Sequence, residues 1–370
     1  MTTDPGLRTA LVHEWIAARA GAEQVFEVLA GVWPDADLHA LSAAPGVRLD
    51  LGGRAVRTTA LDRFRDHRAF ALPLMPAAWA RHARDVQGAY DLVVTSHHAF
   101  ATSNRLVAPG GVHLAYVHTP ARYVWSPELD GRGTSPLLAP ARRALAAADH
   151  RAARRVTAFA ANSAEVARRI ERFWGRDAVV VHPPVDVVRF AATAPDTLDL
   201  PDGFLLALGR FVPYKNHLLA VDVAERAGRP VVVAGTGPLL PVLRERAATA
   251  SVPVVVLDRP SHDTVRELLR RAAVLVFPTV EDFGIVPVEA MASGTPVLAP
   301  RRGGSGETVL DGVSGALVDE LTVGALAEAL PLAEACTAAD CRTRALAFDV
   351  DRFTARIRDW VGEHTGVLRP

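Results

Sequence analysis

Lysine is almost missing from this chain. Of its 41 cationic side chains only Lys215 is a lysine, which leaves 41 − 1 = 40 arginines. Cysteine is nearly missing as well. Cys336 and Cys341 are the only two in 370 residues, five apart and with no histidine close by, which excludes a disulfide framework and a zinc site of the usual spacing and fits a reducing cytoplasm. No apolar run approaches the about 20 residues needed to cross a bilayer. The opening MTTDPGLR has no basic stretch followed by an apolar one, so no secretion signal is expected. Neither sign of charge is in excess: 41 cationic side chains face 41 acidic ones, so the basic surplus of a nucleic-acid binder is absent and no nucleic-acid partner is expected.

What is present is the composition of a globular protein, 49% hydrophobic and 22% charged, in a chain long enough for two domains of ordinary size. Short β-branched runs alternate with Ala/Leu/Arg stretches of helical character, the pattern of parallel βαβ units. In the first half the expected strands are 7–12, 36–41, 91–96, 113–118, 156–162 and 178–184; in the second they are 204–209, 230–235, 252–258, 273–279, 295–300 and 315–319. Several are apolar throughout, as strands covered on both faces must be. Residues 185–203 carry Pro and Asp without periodicity and read as the linker. The fold class is therefore α/β, two Rossmann-like doubly wound domains facing across a cleft, with boundaries at 1–187 and 188–350. In the tail, 351–370, Phe353, Ile357 and Trp360 share a helical face, so this helix should dock. Residues 61–84 mix arginines with Phe, Leu, Met and Trp. They read either as a segment lying on an anionic membrane, a peripheral association, or as a helix pair packed on the first domain; Pro73 and Pro76 break a long amphipathic helix and favour the second.

The densest chemistry lies in TVEDFGIVPVEAMASGTPVLAP, 279–300. A strand ends near Thr279, Glu281 and Asp282 occupy the turn, Gly284 allows a ligand close to the backbone, and Pro287 suits the first turn of a helix. That helix would direct free N–H groups at an anion. Glu289 follows Glu281 after seven intervening residues, so two carboxylates at different depths can accept hydrogen bonds from the hydroxyls of a polyol. Upstream, GRFVPYKNH holds Arg210 and the lone Lys215. In a composition so drifted toward arginine, a retained lysine suggests a place for a compact point charge that a planar guanidinium does not replace. If it grips a diphosphate, Lys215→Ala would lose turnover with little change in folding.

The 279–300 stretch resembles the Glu-x7-Glu motif of the retaining GT-B glycosyltransferases of family GT4, and the resemblance spans nearly the whole chain. GRFVPYKN resembles the segment whose Arg and Lys grip the donor diphosphate, which implies that role for Arg210 and Lys215. VVVAGTGP, with Gly235 and Gly237, and RRGGSGETVLDGVSGALV follow in the family's order. In the first half YDLVVTSHHAF and HLAYVHTPARYVW look like the lipopolysaccharide O-antigen mannosyltransferase branch, which implies that His118 contacts the transferred sugar. The resemblance implies a GT-B fold with its C-terminal helix returning to the first domain, an acceptor-binding first domain and a donor-binding second one. It further implies His118, Arg210, Lys215 and Glu281 as catalytic residues, and Gly21, Arg122, Gly235, Gly237, Asp282, Phe283, Gly284, Ile285 and Glu289 as substrate contacts. The usual Gly-Gly pair of the first loop is here Ala20-Gly21. The expected donor is a nucleoside-diphosphate sugar, GDP-mannose by the mannosyltransferase likeness. No metal or cofactor is expected. The acceptor is a carbohydrate, lipid-linked or small-molecule hydroxyl, and the setting is cytoplasmic or the inner face of the membrane.

Other readings compete. AGTGPLL with Asp258 imitates a dinucleotide fingerprint, but Leu240 stands at its third glycine position. A sugar-nucleotide epimerase shares the fold and the diphosphate site, and a non-catalytic regulator would bind the sugar nucleotide without turnover. Among weaker signals, His97 and His98 lie at a strand's carboxyl end, Tyr123 and Trp125 read equally as core, and Glu307 is expected to cap a helix near the phosphates.

Overall fold

A computed structural model describes residues 7–18, 20–67, 71–86, 90–126, 139–193 and 196–366. Part of the 61–84 stretch therefore lies outside the described residues. The chain divides into two compact units, Met1–Pro184 with Asp351–Pro370, and Val185–Val350.

The first unit is built on seven strands: β1 (Thr9–Ile16), β2 (Asp37–Ala43), β3 (Val56–Thr58), β4 (Tyr90–His97), β5 (Val107–Val117), β6 (Ala158–Ala161) and β7 (Ala178–Val180). They pair in parallel in the order β3-β2-β1-β4-β5-β6-β7. Alternate residues of β1 feed different cores: Leu11 joins the cluster that contains Phe26 and Leu29, while Ala10 and Val12 join the one that contains Trp79 and Phe100. That two-sided burial is why the strand reads as a continuous apolar run. It also continues four residues beyond the expected end, through His13, Glu14 and Trp15, because the polar pair is buried rather than solvated. β3 was not expected; three residues at a sheet edge leave no periodicity to read.

The second unit carries β8 (Leu205–Arg210), β9 (Val231–Thr236), β10 (Val254–Asp258), β11 (Val274–Val276), β12 (Val297–Pro300) and β13 (Gly315–Val318), again all parallel, in the order β10-β9-β8-β11-β12-β13. Leu206 and Leu208 face one core, Leu205 and Ala207 the other.

The division falls at Pro184/Val185, three residues before the expected boundary, because the Val185 N–H donates to the Phe348 carbonyl at 2.9 Å and Val185 bridges to Asp349. The expected irregular linker contains a short helix, Val187–Ala191, capped by Asp186. Val187 and Leu200 are buried in the second unit's core. The final helix, Val350–Thr365, buries Phe353, Ile357, Trp360 and Val361 in the first unit, with Phe353 edge-on to Tyr116 at 5.6 Å. Each large side chain buried there contributes about 1.5–3 kcal/mol. Within the 61–84 stretch, helix Met75–Asp85 starts with Pro76 in its first turn and buries Met75 and Trp79 in the first unit, as the helix-pair reading expects.

Candidate functional site

In each sheet the strand order reverses at one point, between β8 and β11 in the second unit and between β1 and β4 in the first. Ligands of open α/β sheets bind beyond the carboxyl ends of the strands at such a switch. In both units that is where the polar residues gather.

In the second unit the loop after β8 runs through a short 3-10 turn, Pro213–Lys215, into helix His217–Ala227. Asn216 adopts the left-handed conformation (φ 51°), which Asn tolerates better than most residues, and its side-chain amide donates to the Pro278 carbonyl at 2.9 Å. The Thr279 hydroxyl donates to the Tyr214 carbonyl, also at 2.9 Å. These two bonds staple the loop after β8 to the loop after β11 and bring Lys215 and Glu281, 66 residues apart, into a direct ion pair. The Lys215 ammonium lies 5.4 Å from the Phe277 ring centroid and 5.8 Å from that of Tyr214. Walled by two rings and a carboxylate, this is a position for a compact head on a narrow stem. Arg210 is exposed and donates to the Tyr214 hydroxyl at 2.7 Å. Burial lowers the His217 ring to about 4, with Lys215 adding to the effect and the Arg210 main chain opposing it. The neutral ring donates from Nε2 to the Arg210 carbonyl at 3.1 Å, which fixes the base of the loop.

Gly284 (φ 82°) begins helix Ile285–Ser293, which has no side-chain cap, so its first amides remain available to an anion. Behind this turn, a Cβ on Gly304 would stand 2.1 Å from the Phe283 Cα, and the Gly304 N–H donates to the Glu281 carbonyl at 2.8 Å. Asp282 and Phe283 are buried, Phe283 packing edge-on against Phe348 at 5.6 Å, and Ile285 is half-buried. Glu289 lies in the helix's second turn, and burial pushes its carboxyl up to about 7 against the opposing influence of Arg189. Near neutrality it can both accept from and donate to hydroxyl groups.

Gly235 and Gly237 have a packing reason of their own. A Cβ would fall 1.8 Å from the Gly209 carbonyl at the first and 2.6 Å from the Phe211 carbonyl at the second. They let the loops after β8 and β9 close on each other, and the dinucleotide-like spelling needs no cofactor to explain it. Glu307 is no cap: it is the third residue of the short helix Ser305–Thr308, which has no side-chain cap.

In the first unit Gly21 opens helix Gly21–Val32 and Arg122 opens the short helix Arg122–Trp125. His118 follows β5, with Nε2 2.9 Å from the Ser96 hydroxyl, which in turn lies 3.0 Å from His13 Nδ1. The His118 ring meets Tyr116 edge-on at 5.2 Å and His98 at 6.2 Å. Burial, reinforced by His118, lowers His13 to about 3. Glu14 is fully buried and accepts from the amides of His98, Ala99 and Phe100; burial drives its carboxyl up to about 8 against those donors. His97 is structural, its Nδ1 accepting from the Thr102 N–H at 3.3 Å and its ring edge-on to Trp174 at 5.3 Å. Trp125 donates to the buried Asp149 at 2.7 Å and stacks on Phe173. Sequence reasoning missed His13, Glu14, Ser96, Tyr214, Asn216 and Thr279. The polar break inside VHEW was the available signal for the first two.

Two doubly wound parallel units, with a lysine–glutamate pair and an open helix N-terminus at the switch point of the second, define a GT-B architecture. The structure matches that of Anabaena Alr3699/HepE in complex with UDP-glucose with a TM-score of 0.70 at 17% identity, over 95% of this chain and 99% of that one. The family model for glycosyl transferases group 1 matches residues 193–345. A D-inositol 3-phosphate glycosyltransferase of Mycobacterium bovis (strain BCG / Pasteur 1173P2) is 30% identical over 342 residues, 85% of this chain and 67% of that protein. One of Streptomyces bingchenggensis (strain BCW-1) is 39% identical over 185 residues, 43% of this chain and 41% of that protein, so the chain spans under half of that relative's length. The chain belongs to the group 1 glycosyl transferases.

Proposed function

We propose that this chain transfers a hexosyl group from a nucleoside-diphosphate sugar to a hydroxyl acceptor with retention at the anomeric carbon. The bond from the anomeric carbon to the diphosphate breaks, a bond to the acceptor oxygen forms on the same face, and the acceptor proton passes to the departing phosphate oxygen. The observation that carries this reading is the Lys215–Glu281 pair with Arg210 at the carboxyl end of β8 beside it in sequence. Cations and helix amides there can stabilise the charge that grows on the leaving diphosphate, while Glu281 and Glu289 suit sugar and ribose hydroxyls. Charge neutralisation is assigned to these groups, so no resident metal is required. On this reading the second unit binds the donor and the first, with His118, Arg122 and Gly21, serves the transferred sugar and the acceptor.

Two donor readings have support. The likeness of HTPARYVW to mannosyltransferases favours GDP-mannose; the fold shared with a protein solved in complex with UDP-glucose favours a UDP-hexose. The names of the relatives suggest a phosphorylated polyol among the acceptors, alongside glycan and lipid-linked hydroxyls. The cytoplasmic setting belongs to the same proposal, as does any contact with the membrane's inner face; no helix among the described residues is long and apolar enough to cross a membrane. The test is nucleotide release from GDP-mannose, UDP-glucose and UDP-N-acetylglucosamine with D-inositol 3-phosphate as acceptor, followed by assignment of the product's anomeric configuration. Failure of every donor to release nucleotide, or release with inversion, overturns the reading. A changed sugar in the recovered donor would favour an epimerase instead.

A further inference from the structure

The Ser96 hydroxyl lies between two imidazoles, 3.0 Å from His13 Nδ1 and 2.9 Å from His118 Nε2. A hydroxyl has one proton and can donate to only one of them; the other ring must donate to it. If both rings donated, the buried Ser96 proton would have no acceptor among the described residues, which leaves two arrangements. In one, His13 carries its proton on Nδ1 and donates to Ser96, whose hydroxyl donates to His118 Nε2. In the other the direction reverses, and the His13 proton is forced onto Nε2.

The surroundings of His13 separate them. The residue is fully buried, its ring stacked on Phe26 at 5.0 Å and 22°, and its Nε2 has no hydrogen-bond partner among the described residues. A buried N–H without an acceptor is a rarer and costlier state than an idle lone pair. The first arrangement is therefore the stable one.

We propose that Ser96 and His13 are positioning residues that lock His118 in a single tautomer, with Nε2 accepting from the Ser96 hydroxyl and the ring proton on Nδ1. Held this way, the His118 ring carries an N–H rather than a lone pair at Nδ1. Resting on the proposed function, the lock spares the reaction the cost of selecting a tautomer after binding.

The lock is read without any substrate. Ring-nitrogen NMR of the full chain labelled with 15N-histidine, with His118→Ala as the assignment control, should find Nδ1 of His118 protonated and Nε2 bare; a proton on Nε2 overturns the proposal. In Ser96→Ala the population should move toward the Nε2–H form that free imidazole side chains prefer, and an unchanged spectrum of His118 there overturns it equally. Turnover by Ser96→Ala should fall about tenfold in kcat/KM, the scale of one neutral hydrogen bond, whereas binding of the free nucleoside diphosphate should hold. A shifted tautomer with parental turnover removes the positioning role. A parent that shows the locked tautomer but turns over no sugar nucleotide refutes the proposed function and leaves the lock standing.

Discussion

Replacing Lys215 tests the centre of the donor site, and the structure alters what that replacement should do. A lysine serving only a bound diphosphate could be removed with little effect on folding, as the sequence led us to expect. Lys215 is instead 7% exposed and already paired with Glu281. Removing the ammonium leaves a carboxylate with a side chain only 20% exposed and no counter-charge. Breaking a fully buried pair costs about 3–5 kcal/mol; with some water still reaching Glu281, a loss of about 2–3 kcal/mol is expected for Lys215→Ala. In a unit the size of Val185–Val350 that is a fall in Tm of about 4–12 °C. Glu281→Gln should recover part of the loss in the double variant, with a coupling energy of about 1.5–3 kcal/mol in a double-mutant cycle read by denaturant unfolding. Lys215→Arg keeps the charge but must fit a wider head between the Phe277 and Tyr214 rings, so it should restore only part of the stability and of kcat/KM, with kcat suffering more than donor affinity. Coupling below about 0.5 kcal/mol, within the scatter of independent sites, would refute the ion pair as a structural element. Parental kinetics in both variants would remove Lys215 from the reaction.

Gly304→Ala should cost about 1–3 kcal/mol or more and weaken nucleotide binding, since its Cβ would strike the Phe283 main chain, which cannot swing aside; an unshifted Tm would contradict the close packing of the two loops. Asp149, buried and holding the indoles of Trp125 and Trp174, has its carboxyl pushed up to about 7 by burial, the two indole donors opposing. Because its folded pKa lies above the ordinary carboxylate value, this group's contribution is full at low pH and is lost as pH rises from about 4 to 7, by up to about 4 kcal/mol. Asp149→Asn should therefore lose most relative to the parent at pH 5 and least at pH 8, and a gap independent of pH would contradict the shift. Turnover should persist in EDTA, because Arg210, Lys215 and helix amides are assigned the charge of the leaving diphosphate; loss of turnover restored by magnesium or manganese would overturn that assignment.

Much of this protein is determined by local sequence. Doubly buried parallel strands must be apolar at every position, so LLAL and VVVA announce themselves without any structure, and Gly284 followed by Pro287 marks a helix start because backbone geometry demands those residues there. Arg210, Lys215 and Glu281 were legible because charged residues just past the carboxyl ends of apolar strands stand out, and Glu289 by its seven-residue spacing from Glu281. Tertiary structure alone decided how they are used. Lys215 and Glu281 are 66 residues apart, and nothing in either segment says that they neutralise each other; Asn216 and Thr279, which bring the two loops together, carry no charge to draw notice. In the first unit His13 and Glu14 end what reads as a shorter strand, since one-dimensional pattern reading treats a polar pair as solvated. Whether such residues face water or a neighbour depends on strands β1 and β4 lying side by side, a pairing across 83 residues that chain topology sets and no local propensity encodes.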